Sequence, residues 1–147
     1  MRSTILSTNV QPLAIDVLLL LFRIVLGILF INVGYLKIQH PTTWMGPEGF
    51  AAFWQLLAAI AEFVGGIAIT LGFLTRIAAF GLACTMAVAA YVMKFTYGLP
   101  IVSLKDCNAY YVNLLLLLTA LLFMVNGPGR FSVDRLLFGV TLKTSDI

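Results

Sequence analysis

Four long apolar runs, separated by short polar connectors, organise this chain. The first extends from about Leu13 to Leu36, the second from Phe50 to Phe73, the third from Ile77 to Phe95 and the fourth from Ala109 to Val125. Each is near the length of a helix that crosses a hydrocarbon core of about 30 Å. The connectors are rich in helix breakers: His40-Pro41-Thr42-Thr43-Trp44-Met45-Gly46-Pro47, the short Leu74-Thr75-Arg76, and Tyr97-Gly98-Leu99-Pro100 running on to Asp106. Asn126-Gly127-Pro128-Gly129 ends the fourth run abruptly, and Phe131 to Phe138 then reads as a short amphipathic interfacial helix. The pattern predicts an all-α, membrane-embedded four-helix bundle with short loops, forming a single transmembrane domain over residues 1–147.

Helical spacing assigns the faces that meet. On the first span Asp16, Arg23, Gly27 and Gly34 share one stripe; on the second Gln55, Ala58, Glu62 and Gly66 do, with Gly65 beside them. Small residues around a polar one are the usual chemistry of helix packing in membranes, because they let backbones approach closely. The third span offers Ala79, Ala83, Ala87, Ala90 and Lys94, the fourth Tyr110, Asn113, Leu117 and Ala120.

Composition removes the soluble alternatives. Hydrophobic residues make up 61% of the chain and charged residues 10%, with a mean hydropathy of +1.04. A soluble fold would lack the polar residues to cover its surface. The net charge of +3 is spread over loops and ends. No basic stretch is interleaved with exposed aromatics, so nucleic acid is not an expected partner. No cleavable leader is expected, because the first run is long and contains Arg23. The first connector side carries Lys37, Lys94 and Lys105, the opposite side Arg2, Arg76, Arg130, Arg135 and Lys143. The positive-inside rule then places both termini in the cytoplasm of a bacterial-type inner membrane.

Arg23 and Glu62 stand out because a charge inside a spanning segment is costly unless it is paired or functional. With the ends of the first two runs aligned antiparallel, both fall about 15 Å from the same membrane face. The expectation is a buried ion pair between the first two spans, either purely structural or also touching substrate, proton or cofactor. Lys94, some 27 Å from the cytoplasmic face by the same rise, has two readings. It snorkels to the outer interface, or it lines a ligand pocket with Asn32, Tyr35, Tyr110 and Asn113, suited to a quinone carbonyl or a lipid head group. Interfacial tyrosines and an interhelical Asn113 hydrogen bond account for the same residues without a ligand.

The chain holds one histidine, His40 in a loop, and one deep carboxylate. Two-histidine haem ligation and a di-iron bundle site are therefore outside its means, and neither a dinucleotide fingerprint nor a C-x-x-C motif is present. No metal site and no intrinsic cofactor are expected. Cys84 and Cys107 fall at opposite depths and are expected to stay unbridged.

Several segments together carry a family resemblance. They are Leu21-Phe22-Arg23-Ile24-Val25-Leu26-Gly27 with Phe30 and Gly34-Tyr35-Leu36-Lys37, then Ala61-Glu62-Phe63-Val64-Gly65-Gly66, then Leu71-Gly72-Phe73-Leu74-Thr75-Arg76, and finally Gly127-Pro128-Gly129-Arg130-Phe131-Ser132-Val133-Asp134-Arg135-Leu136. In this combination the chain resembles the DoxX family of small four-helix membrane proteins, over nearly its whole length. One departure is Val33, where many relatives carry a histidine. The resemblance implies a four-helix fold and singles out Arg23, Glu62, Lys37 and Arg76. It also implies association with quinone-linked redox complexes for the name-giving members, and stress or detoxification roles for others.

Two functional readings follow. In one, the chain is an accessory subunit, not catalytic alone, of a larger quinone-linked membrane complex or a homo-oligomer, with lipid or quinone as its small-molecule partner. In the other, it is a small transporter or lipid-handling protein whose deep charges gate a polar path.

Overall fold

The computed structural model describes residues 12–46, 49–102 and 110–138. These form α1 (Leu13–Ile38), α2 (Ala52–Leu71), α3 (Thr75–Phe95), α4 (Tyr111–Asn126) and a short α5 (Val133–Phe138). All described regular structure is helical. α1, α2 and α3 are long and apolar enough to cross a membrane, and α4 is a shorter apolar helix of 16 residues. α1 runs two residues beyond the expected Leu36, α2 stops two short of Phe73, and α5 begins at Val133 rather than at Phe131.

The helix ends follow from local chemistry. Pro12 precedes α1, where its missing N–H costs nothing. α2 ends on Gly72, whose φ of +71° is left-handed. Its N–H reaches the Ile69 carbonyl, and the N–H of Phe73 bonds back to that of Ala68 at 2.9 Å. Only Phe73 and Leu74 then separate Gly72 from α3, so α2 and α3 form a tight antiparallel hairpin.

Among the described residues, α1 packs on α2, α2 on α3 and α3 on α4, while α1 and α4 share little contact along their lengths. The core gathers Leu19, Leu26, Phe30, Ile69, Leu82 and Phe123. Their lipid-facing neighbours are large and apolar, as a bundle in hydrocarbon requires. The expected inward stripes of α1 and α2 are buried, apart from the half-buried Ala58; on α3, Ala87 and Lys94 are exposed instead of inward.

Glycines set the register of α1 on α2. A Cβ added to Gly34 would sit 2.4 Å from the Phe63 backbone nitrogen, and one added to Gly27 would sit 2.9 Å from the Gly66 carbonyl oxygen. The helices therefore touch backbone to backbone, with Gly34 facing residues 62 and 63. Extended along the helix, this register puts the end of α2 opposite about residue 25. Roughly the first 18 Å of α1 projects past α2. The segment after α4, from Gly127 to Asp134, packs against that projection.

Candidate functional site

The register separates the two deep charges. Arg23 and Glu62 are both buried, at 2% and 1% exposure, but they are not partners. Aligning the ends of the apolar runs brings them level; the observed register places Glu62 opposite Gly34, about 16 Å along α1 from Arg23. The expected pair is replaced by two polar layers, one at each end of the bundle.

The first layer lies at the α2–α3 turn. Arg23 Nη1 donates to the Pro128 carbonyl at 2.7 Å, and Nη2 donates to the carbonyl of Phe131. Gly72 makes this possible, because a Cβ there would stand 2.7 Å from Arg23 Nη1. About two turns before Arg23 on α1, Asp16 accepts the Arg130 backbone N–H at 3.0 Å, and Arg130 Nε lies 3.2 Å from its other oxygen. Asp134 faces the start of α3 and accepts from the backbone nitrogens of Leu74 at 2.6 Å and Thr75 at 2.9 Å. A carboxylate there satisfies orphan N–H groups and complements the helix dipole. It also holds Leu74 in a left-handed conformation, φ 45°, that a leucine rarely adopts. The N–H of Asp134 returns a bond to Gly72 O at 2.9 Å. Ser132 folds the segment on itself, donating to Gly129 O and accepting from Arg135 N–H. Arg76 leans toward the Val125 carbonyl.

The second layer lies at the far end of α1. Lys37 Nζ is 2.6 Å from both carboxylate oxygens of Glu62, and 4.4 Å from the centre of the Trp44 ring. The ammonium is thus held by a carboxylate and an aromatic face together. Trp44 is itself fixed, its indole N–H donating to Gln55 O at 3.1 Å. The Gln55 side chain accepts from Met45 N–H and donates to Phe50 O, binding the α1–α2 loop to α2. A cavity of about 450 Å³ opens beside this loop, lined by Thr42, Thr43, Phe50 and Gln55 among others. Between the layers the interior is apolar: Leu26, Phe30, Ile69 and Leu82 are all buried.

No hydrogen bond, ion pair or ring contact joins any two of the five residues expected to line an outer pocket. Asn32 and Tyr35 are exposed, the latter against Phe63. Lys94 is exposed with its ammonium 5.0 Å from the Phe95 ring centre. Tyr110 is buried, and Asn113 donates toward Met93 Sδ. Neither cavity described in this structure includes any of them. Of the charges singled out by the family resemblance, Lys37 is the partner of Glu62, and Arg76 sits beside Gly127. Cys84 is free and exposed; Cys107, with Arg2, Lys105 and Lys143, lies outside the described residues. Among the described residues no group of three or more His, Cys, Asp or Glu gathers to hold a metal ion.

Sequence reasoning missed Arg130, Asp134 and Trp44, and saw Asp16 and Gln55 only as members of stripes. The glycine spacing carried the signal: opposing Gly27 and Gly34 to Gly66 and its neighbours brings Lys37, one turn beyond Gly34, within reach of Glu62.

Comparison with known proteins identifies the family. The DoxX family model matches residues 18–95. The chain is 35% identical over 125 residues to "Inner membrane protein YqjF" of Escherichia coli (strain K12), covering 83% of this chain and 93% of that protein. It is 30% identical over 126 residues to "Uncharacterized membrane protein Rv3486" of Mycobacterium tuberculosis (strain ATCC 25618 / H37Rv), covering 77% of each. No solved structure matches it. The family match over more than half of the chain and these two relatives show that the chain is an integral membrane protein of the DoxX family.

Proposed function

We propose that this protein is an accessory membrane subunit, not catalytic by itself, that docks on a quinone-linked redox complex and helps to shape a quinone site there. The observation that carries this reading is that the deep charges have internal partners. Arg23 holds backbone carbonyls, Glu62 holds Lys37, Asp16 holds Arg130 and Asp134 holds the start of α3. A gated polar path would need such groups to face one continuous aqueous lumen. Here they form two separate layers with a packed apolar interior between them. A rigid bundle fastened at both ends, with wide apolar outer faces, suits a scaffold better than a carrier. The sequence offers no redox group of its own beyond thiols, so electron transfer would reside in the partner or in a diffusible quinone.

The reading includes an orientation with both termini in the cytoplasm. The layer built on Arg23 and Arg130 then faces the cytoplasmic leaflet, and the Lys37 and Glu62 pair the outer one. Purification in a gentle detergent, with mass spectrometry of the bound proteins, tests the function. A stoichiometric redox partner is expected; movement of a polar substrate by the protein alone in liposomes would replace this reading with a transporter. For the orientation, a cysteine placed after Lys143 should resist an impermeant thiol reagent in intact cells.

A further inference from the structure

The bundle is open where it would be expected to close. Sequential helices pack on one another, but α1 and α4 meet little along their lengths. Between them runs an apolar groove of about 290 Å³, lined by Ile15, Leu18, Leu19 and Phe22 of α1 and by Leu122 and Asn126 of α4. Its one polar member is turned partly inward, the Asn126 amide donating to Leu122 O at 3.1 Å. A groove of this lining, inside a membrane, accepts hydrocarbon.

The end of the groove is basic. Asp16 lies between the lining residues Ile15 and Leu19, and Gly129 packs against both Asp16 and Leu19. Arg130 sits on Asp16 through Nε, and its side chain remains 38% exposed. Its terminal nitrogens have no hydrogen-bond partner among the described residues. The two carboxylates of this layer, Asp16 and Asp134, are 1% and 3% exposed and already engaged. The charge presented outward here is therefore that of Arg76, Arg130 and Arg135. Of these, Arg130 directly follows Gly129, which packs on Leu19 of the groove wall, and it keeps an open guanidinium fork, the geometry that suits a phosphate.

From this juxtaposition we infer that the α1–α4 groove is a binding site for one anionic phospholipid, an acyl chain lying along Ile15, Leu18, Phe22 and Leu122 and the phosphate meeting Arg130. The lipid belongs to the leaflet facing the α2–α3 turn, the leaflet enriched in acidic lipids if this end is cytoplasmic. It would close the bundle where protein does not. The inference does not depend on the redox reading, because it uses neither the Lys37 and Glu62 pair nor any partner protein.

The test uses the full-length protein, delipidated in mild detergent and re-supplied with phosphatidylglycerol or phosphatidylcholine, with retained lipid counted by native mass spectrometry. Wild type should retain one phosphatidylglycerol, with a preference of about tenfold over phosphatidylcholine, the size of one good charge-assisted contact. Arg130→Gln should abolish the preference. Leu18→Trp, at a lipid-exposed position that should tolerate bulk, should reduce retention of both lipids by filling the groove while leaving Arg130 on Asp16. Equal retention of the two lipids by wild type overturns the proposal. So does an unchanged phosphatidylglycerol count in Leu18→Trp, whatever Arg130→Gln does. Release of a co-purified protein by Leu18→Trp, with no lipid retained by wild type, would assign the groove to a partner helix and also overturn it.

Discussion

The two ends of this bundle solve the same problem in different ways. At the α2–α3 turn, buried charges are neutralised largely by backbone groups brought from far along the chain: Arg23 by carbonyls more than a hundred residues away, Asp134 by the first amides of α3. At the other end, Glu62 meets a flexible lysine on the neighbouring helix, and that lysine is 17% exposed. Backbone partners cannot swing away, so the first layer is a fixed joint between α1, the α2–α3 turn and the C-terminal segment. A side-chain pair under a tryptophan can rearrange, so the second layer is where a ligand or partner could compete for a charge. A buried charge therefore does not by itself mark a working site; what decides is whether its counter-group can move.

That contrast predicts the largest effect at Arg23. Arg23→Met removes two charge-assisted bonds and leaves the Pro128 and Phe131 carbonyls unsatisfied in an apolar setting. The expected cost is about 3 to 6 kcal/mol, measured by reversible unfolding in detergent micelles. Arg23→Lys keeps the charge but cannot span both carbonyls, so it should fall between wild type and methionine. A methionine variant as stable as wild type would show that the joint does not need the guanidinium.

The second effect separates a mobile pair from a fixed one. Lys37→Met strands the Glu62 carboxylate, at a cost of about 2 to 3 kcal/mol. Adding Glu62→Gln should restore part of that loss, because the double variant leaves no unpaired charge. If the two changes simply add, the 2.6 Å contact contributes no coupling. No such rescue is available at Arg23, whose partners are main-chain atoms.

The same contrast explains what could be read in advance. The four apolar runs and the inward stripes on α1 and α2 depend on residue spacing within one helix, which the sequence displays directly. Partner choice depends on register between helices, and there the ends of the runs mislead. α1 projects past α2, so matching Leu13 to Leu71 shifts every cross-helix pair by about three turns. Gly27, Gly34 and Gly66 hold the correct register, because only at glycines do the backbones approach this closely. The roles of Pro128 and Phe131 were not legible at all: their functional atoms are carbonyl oxygens, which every residue has. Asp134 was visible as a charge near a Gly-Pro-Gly turn, but nothing local says that it caps a helix some sixty residues earlier.

A smaller effect tests that remote cap. Asp134→Ala should cost about 1 to 2 kcal/mol, as loss of an N-terminal helix cap does. The deficit should shrink when Leu74→Gly is added, because glycine adopts the left-handed conformation without the support that Asp134 gives. Leu74→Gly in the wild-type background should be neutral or mildly stabilising. If it is instead as damaging as Asp134→Ala, the leucine side chain matters more than its backbone.

The smallest effect is expected at Lys94, which belongs to neither layer. Its ammonium lies against the Phe95 ring near the end of α3, Tyr91 packs on the same ring at 4.8 Å, and the lysine is exposed. This is the arrangement of an interfacial anchor, in which an aromatic ring and a long cationic chain share the boundary between hydrocarbon and water. Lys94→Met should therefore change stability by no more than about 0.5 kcal/mol, as surface substitutions generally do. It should also leave bound quinone or lipid, and the activity of any associated complex, unchanged. A ligand site made by Asn32, Tyr35, Lys94, Tyr110 and Asn113 requires the opposite: normal expression with less ligand retained. Measuring quinone and lipid content in Lys94→Met beside Lys37→Met settles which of these two cations, if either, faces a ligand. Loss in the first variant alone would move the site to the α3–α4 side; loss in the second alone would place it on the Glu62 pair.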